Sequence, residues 1–169
     1  MASPNLNINH VAISVPDAAK AVEWYTTVLG LRVISPLTVV SSADDLRLTQ
    51  KIYGPELREM KIAILAGGNG VGFEIFEFRD PRYSGPERRP AYGPETYSGG
   101  GFFHVCFTSA EPEKVLAKAL AAGARQVGET IAPGEGETCF YMQDPWGNIV
   151  EILSCSFEQL FLKNALSRL

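Results

Sequence analysis

A chain of 169 residues with 46% hydrophobic content and a formal charge of −4 has material for one ordinary domain or two small halves sharing a core. Its basic residues are scattered, which removes the electrostatic case for nucleic acid or an anionic membrane surface and leaves small molecules as the expected partners. No run of about 18 apolar residues is available to span a membrane, and the opening MASPNLNINH lacks a charged segment ahead of an apolar stretch, so a cytoplasmic location is expected.

Residues 7 to 14 alternate and carry β-branched side chains, which predicts a strand. Asp17 then offers an N-cap for a helix whose apolar face holds Ala21, Val22, Trp24, Tyr25, Val28 and Leu29, and Gly30 stops it. A following strand is blurred by an insertion near residues 38 to 59. MKIAILA then turns through Gly67, Gly68, Asn69 and Gly70 into VGFEIFEF, a hairpin. Residues 79 to 101, RDPRYSGPERRPAYGPETYSGGG, form a long polar loop in which Tyr83, Arg88, Arg89, Tyr92 and Tyr97 are candidates for a lid over substrate.

The grammar then repeats. GFFHVCFTSAEPEKVLAKALAAGARQVG, residues 101 to 128, lays over residues 7 to 34 with His104 on His10. Ser109 is the candidate cap, Val115, Leu116 and Leu120 give the apolar face, and Gly123 is the stop. TCFYMQ turns through DPWGN into IVEILSC, so Glu151 matches Glu74. If that turn joins Gln143 to Ile149, Tyr141 stands opposite Glu151 on the same face, within reach of a proton-donor role. The tail places Phe157, Leu160, Phe161 and Leu169 at roughly helical spacing, an apolar stripe expected to dock on the body or on a second subunit. Cys106, Cys139 and Cys155 are odd in number and show no CxxC spacing, which points to buried, reduced thiols.

Each half thus reads as β-α-β-β-β. Two such halves pair most simply into a curved, barrel-like mixed sheet with helices outside, an α+β architecture; a ferredoxin-like arrangement is the competitor, and it has no use for matched histidines and glutamates. The boundaries are 5 to 79 for the first module, 80 to 100 for the loop, 101 to 155 for the second module and 156 to 169 for a terminal helix. Strand alternation puts Glu74 with Phe76 and Phe78, Glu151 with Leu153 and Cys155, and His104 with Phe102 and Cys106. An ionised glutamate among apolar neighbours is costly unless paired or bound to metal, and here it occurs twice, each time with a histidine available from the opening strand. One divalent cation held by His10, Glu74, His104 and Glu151 resolves all four, with room for water or substrate oxygens. The same nitrogen and oxygen donors suit zinc, nickel, cobalt, manganese and iron.

The segments HVAISVPDAAKAVEWYTTVLGL, GFEIFEF, FFHVCFTS and DPWGNIVEIL resemble the vicinal oxygen chelate superfamily, which includes glyoxalase I, methylmalonyl-CoA epimerase, extradiol dioxygenases and fosfomycin- or bleomycin-resistance proteins. The resemblance implies paired βαβββ modules with metal ligands on the first and last strands of each, which fall on His10, Glu74, His104 and Glu151. Glu74 fills a place that the dioxygenase branch leaves without a ligand, so the resemblance favours isomerase or lyase chemistry, with a metal as Lewis acid and Glu74 or Glu151 moving a proton. The His, Glu, His, Glu order is that of bacterial glyoxalase I, yet Phe76 and Phe78 stand where that enzyme has the threonine and asparagine that hold glutathione. Phe76, Phe78 and Phe102, with Arg88 and Arg89, instead suggest contacts to a small oxygenated molecule of apolar or aromatic character. A lactoylglutathione lyase, a ring-cleaving dioxygenase and a metal-free drug- or metabolite-binding resistance protein are the alternatives, and a homodimer is the expected assembly.

Overall fold

The computed structural model describes residues 6–86 and 89–166. Two compact units divide at residues 87 and 88. Each is an α+β module built on its own four-stranded mixed sheet, so the expected β-α-β-β-β modules are present, as two separate sheets and, among the described residues, with no closed barrel.

The first unit runs β1 (His10–Ser14), α1 (Ala18–Leu29), β2 (Arg32–Val40), α2 (Ala43–Tyr53), β3 (Glu59–Ala66) and β4 (Gly72–Asp80). Its sheet order is β1-β4-β3-β2, with β1 parallel to β4 and the other pairs antiparallel. Asp17 caps α1 by accepting from the Lys20 N–H, and Gly30 ends it in the left-handed conformation at φ 70°, as expected. The helix buries Ala18, Ala21, Trp24, Tyr25 and Val28. Tyr25 lies 4.7 Å from the Phe73 ring, and beneath them Ala63, Leu65 and Ile75 are wholly buried. Each large apolar side chain so buried is worth about 1.5 to 3 kcal/mol. The insertion that obscures the second strand in the sequence is a helix, α2, whose N-cap Ser42 accepts from the Asp45 N–H.

The second unit contains a short helix α3 (Pro94–Ser98), then β5 (Val105–Thr108), α4 (Pro112–Ala121), β6 (Arg125–Ile131), β7 (Cys139–Gln143), β8 (Ile149–Leu153) and α5 (Phe157–Leu166). Its order, β5-β8-β7-β6 with β5 parallel to β8, repeats the first. The cap of α4 is Glu111 rather than Ser109; Ser109 Oγ instead accepts from the Glu111 N–H, and Pro112 opens the helix, where its missing N–H costs nothing. Gly123 follows its end at φ 85°. Leu120, expected on the apolar face, is exposed, and α4 seats itself through Pro112 and Ala119. Asp144 shapes the DPWGN turn by accepting from the Trp146 and Asn148 N–H groups and from Asn148 Nδ2. On α5, Leu160 is buried with Cys139, Leu153 and Cys155, whereas Phe157 and Phe161 are exposed; Leu169 lies outside the described residues. No described helix is long and apolar enough to cross a membrane.

Candidate metal centre

In each unit α1 or α4 takes one sheet face, and the histidine and glutamate stand on the other. The register shows how alike the two are. Glu74 pairs with Ala12 and Glu151 with Cys106, so in both units the histidine lies two residues before the glutamate's partner on the neighbouring parallel strand. Two residues along a strand return to the same face, so each imidazole leans along the sheet toward its carboxylate.

In the first unit His10 Nε2 is 3.7 Å from Glu74 Oε2. That is too long for a hydrogen bond. His10 Nδ1 bonds Asn9 Oδ1 at 2.8 Å. An amide oxygen only accepts, so Nδ1 is the donor in this contact and Nε2 is the nitrogen left facing the carboxylate side. Space for the ring comes from Gly72, His10's partner in the ladder, where an added Cβ would meet His10 Cβ at 3.0 Å. In the second unit His104 Nε2 is 3.1 Å from Glu151 Oε2, and Cys139 Sγ is 3.1 Å from Glu151 Oε1. The buried Nδ1 of His104 has no hydrogen-bond partner among the described residues. An unmatched buried nitrogen costs about 1 to 3 kcal/mol, and an ion held at Nε2 would not satisfy it.

Two ligands about 2.1 Å from one ion, at angles between octahedral and tetrahedral, lie roughly 3.0 to 3.4 Å apart. The 3.1 Å separation lies inside that range and the 3.7 Å separation just above it, so the His104/Glu151 pair is spaced for a divalent ion as it stands and the His10/Glu74 pair reaches that spacing by closing about 0.3 Å. Among the described residues no three such side chains form a ready-made cluster; the donors come two to a unit.

Tyr141 pairs with Glu151 across β7 and β8, and its ring stands edge-on to His104 at 5.3 Å. Burial, reinforced by the Glu151 carboxylate, pushes its phenol well above the ordinary range. The Cys139 thiol is pushed up to about 12, by burial first and then by Glu151. Cys139 and Cys155 are buried and in no disulfide, as expected, but Cys106, on the open face of β5, is exposed.

Phe76 and Phe78 lie on the Glu74 face with parallel rings 5.9 Å apart. They are roofed by Tyr53 at the end of α2, 6.4 and 5.9 Å from them, and packed with Leu57 and Met60. Tyr53 falls in the insertion and no pattern in the sequence pointed to it. Burial, and then the nearby Glu74, raise its phenol. Phe102 precedes β5 and is 78% exposed, off the buried face expected for it. Arg89 Nη1 donates to the carbonyls of Gly123, Gln143 and Asp144, clamping the second unit's own turn, and Arg88 lies outside the described residues. Tyr92 and Tyr97 face each other at 6.0 Å across the start of α3. Asn9 and Cys139 were also missed; the alternation that set Tyr141 opposite Glu151 puts Cys139 on that same face.

Duplicated βαβββ modules, each carrying an imidazole at or just before the opening of its first strand beside a carboxylate on its last, define the class of fold and site. The chain belongs to the glyoxalase/bleomycin resistance protein/dioxygenase superfamily, whose model matches residues 7–152. It is similar to a 2-epi-5-epi-valiolone epimerase of an Actinomyces species, with 31% identity over 87% of this chain and 78% of that protein. Its fold is similar to a glyoxalase family protein from Bacillus cereus, at TM-score 0.72 and 20% identity over 91% of this chain and 97% of that one. It is also similar to the fosfomycin resistance protein FosX from Listeria monocytogenes, solved with Mn(II) and sulfate, at TM-score 0.56 and 13% identity over 92% and 97%.

Proposed function

We propose that this protein is a metal-dependent isomerase that moves a proton at a carbon next to a carbonyl in a small oxygenated metabolite, with His10, Glu74, His104 and Glu151 as the ligands of one divalent ion. The observation that carries this reading is the repeated His/Glu pair at matching register in both modules. The epimerase relative supports proton transfer over the lyase and ring-cleaving alternatives. A bound divalent ion would polarise the substrate carbonyl and so acidify the neighbouring C–H bond. Glu74 or Glu151 takes that proton, and Tyr141, kept protonated beside Glu151, returns one. Phe76 and Phe78, packed under Tyr53, offer no polar group for a glutathione backbone. Exposed Phe157 and Phe161, with rings 4.6 Å apart on α5, supply a surface for the homodimer that this reading includes.

The test begins with protein stripped by chelator and titrated with zinc, cobalt, nickel or manganese. One equivalent per chain is expected, lost in His10→Ala and in Glu151→Gln. The loaded protein should then exchange solvent deuterium into dihydroxyacetone or a larger cyclic hydroxyketone. Failure to take up any of these ions sinks the reading. Metal uptake without exchange into any hydroxyketone removes proton transfer from it.

A further inference from the structure

The two carboxylates of the candidate centre are held differently. Glu151 is engaged at both oxygens, Oε2 by His104 Nε2 and Oε1 by Cys139 Sγ, each at 3.1 Å. Glu74 has one such approach among the described residues, His10 at 3.7 Å. The strand registers of the two modules correspond position for position here, which makes the difference informative. Cys139 pairs with Leu153, two residues past Glu151; the matching position in the first unit, paired with Phe76 two residues past Glu74, is Ile62. A thiol donor in one module is a hydrocarbon in the other.

We propose that Cys139 is a positioning residue that fixes Glu151 as the static ligand, and that Glu74, lacking any such donor, is the ligand that leaves to act as base. This deepens the metal-dependent reading above and rests on it. Cys139 is 3% exposed and wedged among Leu153, Cys155 and Leu160, so its sulfur has neither water to bond nor space to turn. With Oε1 tied to the thiol, Glu151 presents a single oxygen beside His104. A carboxylate free to turn can put both oxygens on an ion, occupying a position that a substrate oxygen needs. Removing a proton from carbon and later giving it up requires a carboxylate that can move, and the absence of a donor at Ile62 leaves Glu74 able to do so.

The experiment reads metal affinity, a vibration and exchange separately. Cobalt affinity, measured by chelator competition, should fall about tenfold in Cys139→Ala and return to within about threefold in Cys139→Ser, whose hydroxyl still donates. Leu160→Ala loosens the same apolar cluster without removing the donor and should leave affinity within about twofold. In metal-free protein the Cys139 S–H stretch, assigned by its loss in Cys139→Ser, should lie at a hydrogen-bonded frequency and move in Glu151→Gln. Glu74→Gln should keep cobalt within about tenfold yet lose deuterium exchange, whereas Glu151→Gln should lose cobalt. Unchanged affinity in Cys139→Ala, an S–H band indifferent to Glu151, or equal cobalt loss in both glutamine variants overturns the inference while wild-type metal binding stands. Wild-type protein that binds no cobalt overturns the underlying reading instead.

Discussion

FEIFEF contains two glutamates three residues apart, and their fates diverge because three residues along a strand reverse the face. Glu74 joins the ligand face; Glu77 turns toward α1 and is 4% exposed. There its Oε2 accepts from the Ala18 N–H at 3.0 Å, at the opening of the helix, while Lys61 Nζ and Arg79 Nη1 reach its carboxylate at 3.2 and 3.0 Å. Replacing it by alanine strands a buried helix-terminal N–H, at about 1 to 3 kcal/mol, and removes a negative charge from the helix N-terminus, at about 0.3 to 1 kcal/mol. The two cations add little, because Lys61 is 26% and Arg79 52% exposed and water replaces the lost partner. We expect Glu77→Ala to destabilise by about 2 to 4 kcal/mol, and Glu77→Gln, which keeps an acceptor for Ala18, by about half of that. In urea, with a slope of about 2 kcal/mol per molar, the alanine variant's midpoint drops by about 1 to 2 M. Burial works to raise the Glu77 carboxyl, but the Ala18 N–H, Arg79 and Lys61 outweigh it and hold it below its ordinary value. A depressed pKa means that the stabilisation is fully present above the ordinary carboxylate range and is lost as pH falls through the folded value. The wild-type advantage over Glu77→Gln should therefore be constant near neutrality and shrink in acid. A loss under about 0.5 kcal/mol in Glu77→Ala, or an advantage over Glu77→Gln that is flat into acid, would refute this account. Metal affinity should be unchanged in either variant, since Glu77 faces away from Glu74.

Gly72→Ala places a Cβ 3.0 Å from His10 Cβ, so the imidazole must shift; we expect metal affinity to fall about tenfold with a much smaller change in the urea midpoint, and equal affinity would show that His10 is no ligand. Asp144→Ala leaves the half-buried N–H groups of Trp146 and Asn148 without their acceptor and should cost about 1 to 3 kcal/mol, read by thermal or urea unfolding. Tyr141→Phe removes the phenol beside Glu151 while keeping the ring; its metal affinity should match wild type and its deuterium exchange should slow by about a hundredfold, and unchanged exchange would exclude Tyr141 as the proton donor.

The strands, both opening helices and the matched histidine and glutamate positions were legible because each is written in a local rule: alternation on β1, an apolar run interrupted by one glutamate on β8, capping at Asp17 and Gly30, a turn signature at DPWGN. The register opposite Glu151 followed from turn length alone. What escaped was set by packing between distant segments. Tyr53 lies in α2, which buries no residue fully, so its apolar pattern is too thin to announce which sheet face it roofs. Cys106 and Phe102 read as interior in an apolar run, but interior is a property of what covers a strand, and nothing local specifies a cover.

The elements outside the duplicated modules turn out to follow the duplication. Positions two and four past Glu74 are Phe76 and Phe78, and the insertion helix α2, with the Leu57 that follows it, packs on them. Positions two and four past Glu151 are Leu153 and Cys155, and the terminal helix α5 packs on them through Leu160. The two helices enter at unrelated points in the chain, one between β2 and β3 and the other after β8. A sheet face whose other end must stay open for ligand leaves its apolar remainder wet, and burying each such residue is worth about 1.5 to 3 kcal/mol. Any additional segment long enough to reach that remainder gains by covering it. The open ends, bearing His10 with Glu74 and His104 with Glu151, are then the parts of each face that no described helix covers, and that is where the proposed metal and its substrate would bind.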